Sequence, residues 1–175
     1  MHHLEKFNNK TLKYDLINKF VYNKTKSLPT CKKIILNFGC RTADIKQLSS
    51  GLLAFELITN QKGKLTTTKY SNILFKIRKG NPTGCKITLT KYSLFKNFFI
   101  ILNEIFPKLK NFTGFDQKSN SKNFSYKLTE IFSFYELTNH YYLFNNLSTL
   151  NITIITNSKN KKENIFILKS FKLPI

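Results

Sequence analysis

Apolar residues recur along the chain in blocks whose spacing changes several times. Leu4, Phe7, Leu12, Leu16, Ile17, Phe20 and Val21 follow one another at mostly helical intervals, which predicts an amphipathic N-terminal helix over residues 1–22 with lysines outside. The short apolar run "KKIILNFG", closed by Gly39, predicts a strand. Ile45, Leu48, Leu52, Phe55 and Ile58 return to steps of three or four, predicting a second helix that ends near "TNQKGK", with Gly63 as its stop. "KLTTTKY" is strand-like. In "FKIRKGNPTGCKITLT", Phe75 and Ile77 alternate with Lys76 and Arg78, and Cys85, Ile87 and Leu89 alternate with Lys86, Thr88 and Thr90. That stretch reads as two pleated segments folded about a turn.

Further along, Phe95, Phe98, Phe99, Leu102 and Phe106 predict a helix over Ser93 to Phe106, with Pro107 just beyond its end. Residues 107–125, rich in Lys, Asn, Ser and Gly, have no sustained period and read as a long basic loop. "YKLTEIFSF" and the β-branched "LNITIIT" are strand candidates. Asn160 and Glu163 have the spacing of a capping box opening a final helix through Ile165, Phe166, Leu168 and Lys169. The order of elements predicts an α+β fold: a single domain over residues 1–175, a mainly antiparallel sheet with helices packed on one face, and a protruding β-hairpin loop.

Charge narrows the partners. The 175 residues carry 29 Lys plus Arg against 9 Asp plus Glu, a formal net charge of +20, which calls for a polyanion: nucleic acid or an anionic membrane surface. Heavy use of Lys, Asn, Ile and Phe also matches an A+T-rich genome, but codon bias leaves the scarcity of acids unexplained. No run approaches the roughly 20 apolar residues of a membrane span, so membrane insertion is not expected. "MHHLEKFNNKTLKYDL" lacks the apolar core of a secretory signal and, with Glu5, Asp15 and no arginine, the character of an ordinary mitochondrial import peptide. Cys31, Cys40 and Cys85 form no CxxC pair and no disulfide framework, which implies a reducing compartment and no zinc site.

Catalytic chemistry finds little footing. His2 and His3 lie at the terminus, and His140 in "TNHYYLF" has no recognisable partner, so a surface or packing role is expected. Lys86 could activate the neighbouring Cys85 thiol, yet Cys85 shares a strand face with Ile87 and Leu89, where a cysteine serves as a small buried hydrophobe. The acids form no paired-carboxylate motif, and "GNPTG" lacks the GK[ST] ending of a phosphate loop. Neither an enzyme nor a cofactor is expected. The cationic, hydroxylated face of the hairpin offers phosphate both charge and donors, and without a recognition helix or zinc fingers it suits RNA better than DNA.

Six blocks, "KIILNFG", "ITNQK", "FKIRKGNPTGCKITL", "FPKLKNFTGF", "LNITIIT" and "FKLPI", together resemble the fifth large-subunit ribosomal protein family, in that family's order and spacing from Leu4 to Ile175. The resemblance implies a structural constituent of the large subunit that binds 5S rRNA, or its replacement, in the central protuberance. It implies rRNA contacts from Asn37, Gln61 and Thr88, with Lys62 and Lys86 beside them. It also implies that a loop over residues 70–84, carrying Lys76, Arg78, Lys79 and Asn81, reaches P-site tRNA, and that the protein meets neighbouring central-protuberance proteins and a small-subunit head protein at an intersubunit bridge. The segment before the turn is "TKYSNILFKIR" where the family has a basic, glycine-containing one. "SKNFS" and "GCRTA" likewise lack family glycines. Such departures and the A+T-biased composition fit an organelle gene, giving a mitochondrial matrix ribosome as the expected location, with a plastid or apicoplast, or an A+T-rich bacterium, as alternatives. The competing reading is a basic peripheral membrane or ribosome-assembly protein without a stable place in the mature ribosome.

Overall fold

A computed structural model describes residues 3–40, 44–109 and 123–173. The chain begins with α1 (His3–Phe7), a π-helical stretch Asn8–Leu12 and α2 (Lys13–Lys19), followed by a short 3-10 turn Thr25–Ser27. Strand β1 (Cys31–Gly39) leads to α3 (Ile45–Thr59), then β2 (Lys64–Thr67) and β3 (Pro82–Leu89). Next come α4 (Lys91–Ile100), a π-helical stretch Ile101–Ile105 and α5 (Phe106–Lys108). After β4 (Asn123–Leu128) and a 3-10 turn Ile131–Ser133 stand the short α6 (Tyr135–Thr138) and α7 (Tyr141–Phe144), then β5 (Leu150–Thr156) and α8 (Lys161–Ser170). The strands form one five-stranded antiparallel sheet in the order β2-β3-β1-β5-β4, so the expected α+β class holds.

The chain divides into two compact units. One comprises Met1–Ile34, Leu89–Ser125 and Thr153–Ile175. In it α1 packs on α4, and Phe171 is the hub: its ring lies 6.0 Å from that of Phe7 and 5.3 Å from that of Phe98, both edge-on, as aromatic quadrupoles favour. The N-terminal helix ends at Lys19, short of Val21, because Phe20 turns extended (φ −129°, ψ 147°) and sets its ring 5.8 Å from Phe166. Val21, expected on the apolar stripe, is 96% exposed.

The helix expected to stop at Phe106 runs on into α5, with Pro107 inside its first turn. Pro107 has no N–H to give, and the π-helical stretch just before it, where the Phe106 N–H reaches back to the Ile101 carbonyl, shifts the bonding pattern ahead of that gap. The shift also moves the buried face: Ile101 and Ile105 enter the core, whereas Phe99 stays 37% exposed. Of the expected basic loop over 107–125, residues 110–122 lie outside the described residues. Its two ends are instead helix (Phe106–Lys108) and strand (Asn123–Leu128). There the Ser125 and Thr153 hydroxyls share a 3.2 Å hydrogen bond.

The second unit comprises Ile35–Thr88 and Tyr126–Ile152. Alternation in β1 buries Leu36 and Phe38, alternation in β3 buries Cys85 and Ile87, and α3 covers both. Phe38 and Phe55 pack with ring centroids 4.8 Å apart. Gly51 faces both strands, and a Cβ there would sit at ordinary contact distance, 3.4 Å from the Cys85 sulfur and 3.8 Å from the Phe38 ring. The end of α3 is Asn60, not Gly63: Asn60 adopts the left-handed conformation (φ 55°) and its N–H bonds the Glu56 carbonyl at 2.9 Å. Gly63 is needed for space, because a Cβ there would lie 2.9 Å from the Phe55 ring. The segment "YKLTEIFSF" is strand only as far as Leu128; α6 and α7, which pack on α3, follow it.

Candidate nucleic-acid interface

The face of the second unit turned away from α3 carries the polar half of the alternation in β3 and, beside Ile35, Asn37 of β1. Phe38 and Cys85 point to the same helix, so Asn37 on β1 and Lys86 and Thr88 on the adjacent β3 share the opposite side. Lys86 and Thr88 are exposed and Asn37 is half-buried. Strand β2 extends this face: in its antiparallel register with β3, Lys64 stands opposite Lys86 and Thr66 opposite Gly84, while Leu65 stands opposite Cys85. Directly opposed residues lie on one side of a sheet, so the Lys64 and Lys86 side chains leave it side by side. Sequence reasoning named Lys86 but missed Lys64 and Thr66; the alternation Lys64, Leu65, Thr66 in "KLTTTKY" was the available signal.

Gly84 is the close-packed point of the arrangement. A Cβ on it would come within 2.7 Å of the Phe38 carbonyl oxygen and 2.8 Å of the Thr66 hydroxyl. The glycine therefore lets β1 and β2 close on β3 from either side and keeps the polar face continuous across them.

Gln61 and Lys62 do not lie on strands. They are exposed on the turn after the left-handed Asn60, and the Gln61 carbonyl accepts a 3.4 Å hydrogen bond from the Thr59 hydroxyl. Lys76, Arg78, Lys79 and Asn81 lie on the excursion joining β2 to β3, with the first three exposed and Asn81 half-buried.

The structure corrects the expected pairing of Phe75–Arg78 with the strand after Gly84. The partner of β3 is β2. Residues around Phe75 instead form a small turn of their own, in which Asn72 and Ile77 exchange backbone hydrogen bonds of 2.9 and 3.0 Å. The Leu74 N–H takes the Asn72 side-chain oxygen at 3.0 Å, and Lys76 adopts φ 52°. Those bonds consume the backbone groups a strand would need. Below the turn, Thr68 ties the base of the loop through its N–H to the Asn81 carbonyl and its hydroxyl to the Arg78 carbonyl. Gly80 supplies the positive φ (87°) where the chain reverses. Ile73 and Leu74 stand 93% and 89% exposed at the tip, so the cations flank an aliphatic end.

The cysteines carry no catalytic signature. Cys85 is buried, its thiol directed at the Leu48 carbonyl at 3.4 Å, and burial pushes its pKa up to about 11. Burial pushes Cys31 to about 12, and Cys40 is raised by burial and then by the charge of Asp44. Alkylation by iodoacetamide proceeds through the thiolate, whose fraction at pH 8 falls as the pKa rises. The half-buried Cys40 should therefore label first, and Cys31 and Cys85 only on unfolding, as peptide mass spectrometry would show. His140 is exposed ahead of α7, in keeping with a surface role.

A basic α+β protein whose sheet presents a lysine, threonine and asparagine face has the charge and donors that a polyanion needs, and three similarities say which family it comes from. Residues 82–175 match the model for the C-terminal part of the ribosomal L5 family. Over 100% of its length the chain is 34% identical to the large ribosomal subunit protein uL5m of Reclinomonas americana, covering 98% of that protein. It is 32% identical to the large ribosomal subunit protein uL5 of Geotalea uraniireducens, with 99% and 98% covered, and to that of Malacoplasma penetrans, with 91% and 86% covered. The chain belongs to the uL5 family of large ribosomal subunit proteins, which are structural components and not enzymes. Mitochondrial and bacterial relatives stand at similar identity.

Proposed function

We propose that this chain holds 5S rRNA, or the RNA that takes its place, in the central protuberance of a large ribosomal subunit, with Asn37, Lys64, Thr66, Lys86 and Thr88 against the RNA. The observation that carries the reading is the cross-strand pair of Lys64 and Lys86. Like charges placed directly opposite are unfavourable in the free protein, and a phosphate backbone over the face turns that repulsion into attraction. Thr66, Thr88 and Asn37 supply neutral donors to phosphate and 2′-hydroxyl oxygens between the cations. Gln61 and Lys62 extend the contact from the turn entering β2.

The β2–β3 excursion reaches P-site tRNA through Lys76, Arg78, Lys79 and Asn81, and the protein meets its central-protuberance neighbours and a small-subunit head protein. A mitochondrial ribosome is the setting favoured by the Reclinomonas relative and the A+T-biased composition. Among the described residues no helix is long and apolar enough to cross a membrane.

A salt titration tests the reading. Contacts from Lys64 and Lys86 alone should contribute roughly −1.4 to −1.8 to the slope of log K against log salt concentration. Binding to a 5S-type RNA should be steeper than that and tighter than to an unrelated duplex of equal length. Equal affinity for the two RNAs would overturn the proposal.

A further inference from the structure

The first unit contains a second polar site, built from none of the residues of the strand face just described. Between the segment after α2 and the start of α8 lies a cavity of about 460 Å³ lined by residues that include Tyr22, Lys24, Ser27, Lys159, Asn160 and Glu163. A carboxylate is the unexpected member of this set in a chain of net charge +20, and Glu163 is only 6% exposed. The helix starts at the expected place but without the reciprocal bonds of a capping box: one Glu163 oxygen accepts the N–H of Lys159, the residue before the N-cap, and the other the Asn160 side-chain amide, each at 3.2 Å. Asn160 itself places no side-chain cap on the helix. Each carboxylate oxygen has thus accepted one hydrogen bond and keeps a lone pair. Beside it the buried Tyr22 hydroxyl has no partner among the described residues, a costly state for a polar group away from water. Burial, and then the Glu163 charge, push the Tyr22 pKa up, so this hydroxyl keeps its proton and can donate.

We propose that the cavity receives one unpaired guanine nucleotide of the bound RNA, with the Watson–Crick edge of the base on Glu163. The inference rests on the RNA-binding reading above. A carboxylate only accepts, and guanine is the base whose edge offers two adjacent donors, N1–H and the N2 amine, to two oxygens; adenine, cytosine and uracil each place an acceptor beside their donor. Next to those donors guanine carries O6, the acceptor that a phenol such as Tyr22 can serve. Lys24 and Lys159 suit the flanking phosphates. They also decide against an arginine side chain of a protein partner, whose geometry would match the carboxylate but whose charge they repel. The volume is within the range of small-ligand sites and accommodates a base with part of its sugar.

The test measures binding of the full-length chain to the labelled pentamers r(UUGUU), r(UUIUU) and r(UUAUU) by fluorescence anisotropy at constant salt. Inosine keeps N1–H and lacks the N2 amine. The guanine pentamer should bind about tenfold more tightly than the adenine one, the scale of one bidentate base contact, with inosine between. Glu163→Gln keeps an acceptor for the helix start but turns half of the edge into a donor, and should bring guanine down to the adenine level. Tyr22→Phe removes only the hydroxyl and should reduce the preference in part. Equal binding of guanine and adenine by the unaltered chain overturns the inference, as does a preference that survives Glu163→Gln. Loss of all RNA binding overturns it together with the reading on which it rests, whereas RNA binding without preference overturns the guanine site alone.

Discussion

Lys64→Glu should make the free protein more stable and its RNA complex weaker. A glutamate at this position stands opposite Lys86 in the β2–β3 register and replaces a repulsive cross-strand pair with an attractive one. The gain is about 0.2–1 kcal/mol, on the order of 1–4 °C in thermal midpoint for a chain of this size. On the RNA side the substitution removes a charge-assisted contact of roughly 1.5–3 kcal/mol, a tenfold to hundredfold loss of affinity. Lys86→Glu should do the same for the same reason. The double variant restores like charges across the register, so its stability should return to that of the unaltered chain while its affinity falls further. Opposite signs for folding and binding are the signature of a charged pair retained for a partner. Parallel losses in both would show that the lysines stabilise the sheet itself, and the strand face would lose its claim to the RNA.

Gly84→Ala tests the architecture beneath that face. The added methyl would meet the Phe38 carbonyl oxygen at 2.7 Å and the Thr66 hydroxyl at 2.8 Å. The hydroxyl can rotate away, but the carbonyl is backbone of the neighbouring strand and moves only with β1. Overpacking of this kind costs about 1–3 kcal/mol, and a site closed by backbone belongs at the upper end. A fall of roughly 6–12 °C in thermal midpoint follows for about 3 kcal/mol. Gly39→Ala is the matched control, because a Cβ there has nothing within 4 Å. Similar midpoints for the two variants in calorimetry would contradict the close approach of β1 to β3. RNA affinity should fall in Gly84→Ala even below the unfolding range, since Asn37 and Thr88 sit on the strands forced apart.

The parts of this fold that could be read in advance are those whose period is long or unambiguous. Helix α3 spans 15 residues, enough for its apolar spacing to repeat, and "LNITIIT" is dense in β-branched residues, with Leu150, Ile152 and Ile154 buried as β5. The hairpin was misread because a period of two over only Phe75, Lys76, Ile77 and Arg78 also occurs in a tight turn. Nothing in those letters reveals that Asn72 and Ile77 bond each other. Its true first strand, "KLTT", is exposed at Lys64, Leu65 and Thr67, so it gave a weaker apolar signal than its competitor. The helices α6 and α7 span about one turn each, too short for a helical period to declare itself. Helix ends slipped for similar local reasons: Asn60 took the left-handed position expected near Gly63, and Pro107 was admitted to a helix whose bonding had already shifted at Ile101–Ile105.

The strand face was legible in outline. Lys86 and Thr88 sit on the polar side of a strand whose apolar side is clear from its neighbours, whereas Asn37, two residues from Ile35 in an apolar run, was reached only through the family resemblance. What alternation could not supply was register, and register is what sets Lys64 against Lys86. Glu163 illustrates the opposite failure: its spacing pointed to a helix start and nothing more, and only the fold places Tyr22 and Lys24 around the same carboxylate.

A density map of the native large ribosomal subunit containing this chain tests the central claim most directly. An RNA backbone should run across β1, β3 and β2, with phosphate or ribose oxygens within hydrogen-bonding distance of Asn37, Lys86 and Thr88 and a phosphate near both Lys64 and Lys86. RNA lying instead against the α3 side, with Lys64 and Lys86 facing solvent or another protein, would contradict it.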